Sequence, residues 1–191
     1  IKIYYKFNPT SFKNFFSDSI KLNNIREIFS SKSFYTKKIK LNIQFNKDKW
    51  ASRWKFKDNT IKVYWVLSMS TQELLTVFIH ELWHYFDIDY FDSNLLSDTS
   101  TNFYNISWDE TTVIKSWLMV TDFVSGYAMT NKYEDFAESF IYYIIANKPF
   151  YEKTKTSSIL KQKYDFFKTY LFTNKEFIDT KLTKDAKWLE Y

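Results

Sequence analysis

Residues 70–88 read STQELLTVFIHELWHYFDI. Ser70-Thr71-Gln72-Glu73 has the form of a capping box, in which a hydroxyl meets the free amide of Glu73 and the Glu73 carboxylate reaches back. The apolar run behind it predicts a helix over about 71–88. Inside that helix stands His80-Glu81-Leu82-Trp83-His84, an H-E-x-x-H pattern. Residues i and i+4 share one helix face, so both imidazoles reach a single ion, and Glu81 faces the water such an ion activates. Zinc brings the pKa of that water toward neutrality, and the carboxylate takes its proton during attack on a carbonyl. His80 and His84 are also the chain's only histidines. Two imidazoles and a carboxylate on an otherwise apolar helix are costly to bury without a shared partner, and a metal supplies one.

Working outward toward the N-terminus, the period changes. Ile1, Ile3, Tyr5 and Phe7 alternate up to Asn8-Pro9, and Ile39, Leu41, Ile43 and Phe45 alternate again. Between them, Phe12 to Phe29 carry apolar groups nearer a helical period. Trp54 and Phe56, then Asp58-Asn59, then Ile61, Val63, Trp65 and Leu67 read as a hairpin. Toward the C-terminus the signals are helical. Ser107-Trp108-Asp109-Glu110 reads as a second capping box opening a helix to about 123. Asn131-Lys132-Tyr133-Glu134 predicts a third start, with a helix to about Asn147 and Pro149 just beyond its end. Residues 157–172 carry Ile159, Leu160, Tyr164, Phe167 and Leu171 on one stripe. The expected class is α+β, a small N-terminal mixed sheet followed by helices. With no repeat and no linker composition, one domain over 1–191 is expected. Within it, 1–69 form a helix-and-sheet part, 70–147 the zinc-binding helices and 148–191 a C-terminal helical part.

Composition removes whole classes of function. There is no Cys among 191 residues, hence no thiolate ligand, disulfide or cysteine nucleophile. A single Gly excludes the glycine-rich phosphate loops, which need several positions without a Cβ. The +5 charge comes from 25 Lys and only 2 Arg, a poor endowment for reading nucleic acid. It is also segregated: residues 80–139 hold 11 acids and 2 Lys, a net of −9, while the remainder carries +14. No stretch approaches a membrane span. The chain opens on Ile1 without a signal-peptide core, as a trimmed or mature form would.

A catalytic zinc site needs a third protein ligand and an open fourth position. No histidine is left to serve; Tyr90 stands where a metzincin places its third His, and Asp87 where it places Gly. The third ligand is therefore a carboxylate. Glu134 and Glu138 lie i, i+4 among Phe136, Ala137, Phe140 and Ile141, which suits one ligand and one carboxylate that orients an imidazole. Glu110 is better explained as a capping partner, and Asp122 lacks the neighbours of an aspartate-liganded zinc peptidase.

The stretches His80–Asp87 and Tyr127–Phe140 resemble a family of gluzincin-type zinc metalloproteases that includes the anthrax lethal factor catalytic domain and the bacterial proline–proline endopeptidases. Its pattern is H-E-x-x-H-x-x-D, then a Tyr seven residues before a ligand Glu that opens E-x-F-A-E-x-F. The likeness covers about residues 60–146, and Trp83 departs from it by replacing a small residue. The resemblance implies a zincin-like core, Glu134 as third zinc ligand, Glu138 as a carboxylate behind the ligands, and Asp87 as a buried partner of the site. It implies Tyr127 as the phenol that stabilises the oxyanion; Gly126, just before it, would let the loop turn tightly.

The expected function is thus a zinc-dependent endopeptidase with one Zn²⁺ on His80, His84 and Glu134 and with Glu81 as general base and later proton donor. Its expected partners are a peptide or protein substrate, with no nucleic acid, no membrane span and a monomeric state. A secreted or cell-surface location follows from the resemblance. The alternative is a non-catalytic, zinc-stapled binding module of a toxin-like or adhesin-like protein. In zinc peptidases the strand before the active helix is commonly an edge that pairs with substrate, a role open to strand 61–67. The aromatic residues, 22% of the chain, are expected to be mostly core.

Overall fold

The structure, a computed structural model, describes residues 2–5, 42–46, 54–57, 60–64, 71–85, 97–172 and 174–179. The described residues are mostly helical. Four short strands precede the helices: β1 (Lys2–Tyr5), β2 (Asn42–Phe45), β3 (Trp54–Lys57) and β4 (Thr60–Val63). They pair in the order β1-β2-β4-β3, with the β1–β2 and β2–β4 ladders parallel and β3–β4 antiparallel. Lys57 pairs with Thr60, so β3 and β4 are antiparallel neighbours, as the alternation predicts, while Asp58-Asn59 between them lies outside the described residues. Ile61 and Val63 are fully buried while Thr60 and Lys62 are half-buried, which gives the strand its period of two. Among the described residues β4 is paired on both sides, so over Thr60–Val63 it is an interior strand rather than a substrate-pairing edge, and β1 and β3 lie outermost. The helix expected within 10–30 lies outside the described residues.

Helix α1 (Thr71–Tyr85) follows. Its expected cap at Ser70 and its extension to residue 88 lie outside the described residues. Contacts divide the chain into two compact units, residues 1–82 and 83–191, and the division falls inside α1.

The second unit holds α2 (Ser97–Ser107), α3 (Lys132–Ile145), α4 (Asn147–Thr154) and α5 (Ser158–Phe166), which runs on as a π-helical turn over Phe167–Leu171. Short 3-10 turns occupy Val120–Asp122 and Tyr127–Met129. α3 is the centre of this unit. Residues 135–137 and 139–145 of it are all buried, as expected of a helix enclosed on every side. Around it Phe103, Phe166, Phe167 and Phe172 join Phe136, Phe140 and Tyr143 in a network of edge-on and stacked rings. Each well-oriented pair contributes about 0.5–1.5 kcal/mol beyond the area it buries. Among the described residues of this unit most aromatic side chains are core, while Trp117, Tyr127, Tyr133, Tyr151 and Tyr170 are exposed.

One expectation is corrected here. Residues 108–123 are not a helix. Ser107 ends α2 instead of opening a new helix, and Trp108 bridges to Ile114 across a turn closed by Asp109 N–H on the Val113 carbonyl at 2.9 Å. Tertiary contacts decide it, because the Trp108 indole is buried and donates to Asp135 at 2.9 Å. Pro149 lies beyond the end of α3, as expected, and falls in the first turn of α4. A proline is tolerated there because the amide it lacks would have no partner within the helix. Asn147 marks the break: its Nδ2 donates to the Tyr143 carbonyl and its Oδ1 accepts from the Tyr164 hydroxyl, both at 2.7 Å.

A buried ion pair knits the unit together. Lys163 of α5 and Asp135 of α3 have fully buried side chains 2.8 Å apart. Lys163 also donates to the Asp122 carbonyl at 3.1 Å and lies 4.1 Å over the Phe123 ring. Burial pushes the Asp135 carboxyl up and the Lys163 amine down, each shift opposed by the other's charge. Among the described residues no helix is long and apolar enough to cross a membrane.

Candidate metal centre

His80 and His84 stand one turn apart on α1, His80 6% exposed, with the fully buried Glu81 between them. Trp83, the departure from the family pattern, is fully buried. Its ring stacks flat on Phe136 of α3, centroids 3.6 Å apart and planes 5° off parallel, with Phe140 5.3 Å away. The bulky residue therefore has a partner: it docks the last turn of α1 on α3, two residues from Glu134.

Glu134 sits in the first turn of α3. Asn131 caps that turn, its Oδ1 accepting from the amides of Tyr133 at 2.9 Å and Glu134 at 3.0 Å. A Glu at this position can serve as a capping-box partner. Here its Oε2 instead lies 3.7 Å from His84 Nε2. That is beyond hydrogen-bond range. It is close to the spacing of neighbouring ligands on a tetrahedral zinc, about 3.4 Å for bonds of about 2.0–2.1 Å. His80, His84 and Glu134 each offer a donor atom within 4.8 Å of the others, so the group could hold a metal ion. It is the one such group of three among the described residues. Two imidazoles and one carboxylate are a donor set that suits zinc, and three protein ligands leave a fourth position open.

The rival carboxylates are engaged elsewhere or exposed. Asp122 accepts from the Met119 amide at 3.0 Å and the Ser157 hydroxyl at 2.6 Å, which ties a 3-10 turn to the cap of α5. Glu110 is exposed in the turn after Trp108. Asp87 lies outside the described residues.

Tyr127 opens a 3-10 turn packed against α3 and is 51% exposed. The glycine before it is not needed for its conformation: Gly126 has φ −64° and ψ −31°, which any residue adopts. A Cβ there would meet nothing within 4 Å. The Tyr127 turn is shaped instead by Ser125, a residue that sequence reasoning missed. Its hydroxyl donates to Glu138 Oε2 at 2.7 Å and accepts from the Ala128 amide at 3.2 Å. The signal was present in Ser125-Gly126-Tyr127-Ala128, where a hydroxyl stands three residues before an amide that needs an acceptor. Of the tryptophans whose side chains are described, Trp83 and Trp108 are buried and Trp117 is 63% exposed.

Comparison with known proteins adds no relative: no family model matches the chain, nor does any curated protein or solved structure.

Proposed function

We propose that this chain is a zinc-dependent endopeptidase with an α+β, zincin-like fold. One observation carries the reading: Glu134 of α3, distant in sequence, brings a donor atom within 4.8 Å of those of His80 and His84, which stand on the helix that also holds Glu81. His80, His84 and Glu134 would hold the ion. Zinc, when bound, supplies a Lewis acid for the substrate carbonyl and a water that ionises near neutral pH. Glu81 accepts the proton of the attacking water and delivers it to the departing amine. Tyr127 donates its phenolic hydrogen to the oxyanion as charge develops there. The resemblance carries with it a peptide or protein substrate and a secreted or cell-surface setting.

The test is a digest of an unbiased peptide library by the zinc-loaded protein, with and without a chelator. Cleavage at internal peptide bonds that stops on chelation and returns with zinc is expected. Zinc retained at one ion per chain with no cleavage of any peptide would favour the zinc-stapled binding module instead.

A further inference from the structure

We propose that Ser125 is a positioning residue that ties the turn presenting Tyr127 to the helix presenting Glu134. Its effect on rate rests on the peptidase reading above; the tie itself does not. The Ser125 hydroxyl uses both of its capacities, donating to Glu138 Oε2 at 2.7 Å and accepting from the Ala128 amide at 3.2 Å. Tyr127 lies between these two contacts in the chain. Two further bonds close its turn, Met129 N–H on the Gly126 carbonyl at 3.2 Å and Thr130 N–H on the Tyr127 carbonyl at 3.0 Å. The anchor at the other end is firm, because Glu138 projects from α3, whose flanking residues Ala137 and Ser139 are fully buried. Glu138 is also one helical turn beyond Glu134, so one rigid segment carries both the carboxylate offered to the metal and the acceptor that holds the tyrosine turn.

The tie matters because Tyr127 is 51% exposed, so burial alone does not fix its direction. Holding the backbone of its turn therefore helps to set where the phenol points. A hydrogen bond to a carboxylate is short and strong, which suits a single hydroxyl to that task. Ser125 does not touch the reacting atoms in this scheme; it acts through Tyr127.

Hydrogen exchange on the metal-free protein reads the tie directly. Ser125→Ala is expected to speed exchange of the Ala128 amide and its neighbours in 126–130 by about 10- to 100-fold, while amides 136–145 of α3 stay unchanged. Glu138→Ala breaks the same bond from the helix side and should speed the same amides; Ser125→Thr, which keeps the hydroxyl, should restore protection. Turnover gives the second readout. Ser125→Ala should lower kcat by about 10- to 100-fold with KM nearly unchanged, and should add nothing to Tyr127→Phe. Unaltered exchange at Ala128, or full additivity with Tyr127→Phe, would overturn the proposal. If no peptide is cleaved by the unmodified protein, the peptidase reading fails alone and the exchange result still decides whether Ser125 holds the turn.

Discussion

Helices α1 and α3 both contribute to the candidate metal centre, but they hold their residues by different means. On α1 the two imidazoles and Glu81 sit within a long regular helix, and their common direction follows from helical periodicity alone. On α3 the single candidate ligand, Glu134, sits in the first turn, where the amides lack acceptors within the helix and the Asn131 side chain accepts from two of them. The rest of α3 is pinned by the Lys163–Asp135 ion pair and by the Trp83–Phe136 stack. A mid-helix pair is thus fixed by local geometry, whereas a first-turn ligand depends on a cap and on distant partners.

That contrast is open to direct assault. Lys163→Met leaves the Asp135 carboxylate fully buried without its charge partner and is expected to destabilise the fold by about 3–5 kcal/mol in urea denaturation. Adding Asp135→Leu should recover much of the loss, because an apolar pair of similar volume often replaces a buried ion pair at little cost. A double variant no more stable than the single one would show that the pair does more than neutralise itself. Asn131→Ala is the gentler intervention. It should lower stability by only about 1 kcal/mol. Zinc affinity should nonetheless fall by about 10-fold in chelator competition, since a ligand has lost the group that orients it. Asn131→Asp, an equally good cap, should restore both; zinc affinity unchanged in Asn131→Ala would mean that the first turn is held without its cap.

The same contrast explains what could be read from the chain. The H-E-x-x-H spacing, the start of α3 at Asn131 and the hairpin of β3 and β4 are local patterns, and they were legible in the sequence. α2 was not, because Ser97–Ser107 is rich in Ser, Thr, Asn and Asp, residues that favour turns. Its signal was the stripe Ser100, Phe103, Tyr104 and Ser107, all buried at helical spacing but half of them polar. The Ser107-x-x-Glu110 pattern misled for a related reason: the position of Trp108 is set by Asp135, 27 residues away, which no local pattern records. Within the centre, Ser125 went unread because its partner Glu138 is 13 residues distant. Trp83 stacks on Phe136, a partner distant in sequence that no local pattern records.

The most direct measurement compares zinc content and peptide cleavage on the same preparations of the unmodified protein and of Glu81→Gln. Both are predicted to hold one zinc per chain, and the variant to lose about 10²–10⁴-fold in kcat because the proton of the attacking water has no carboxylate to accept it. An unmodified protein that binds no zinc, or a Glu81→Gln variant that cleaves at the full rate, would contradict the assignment of this centre as a zinc peptidase site.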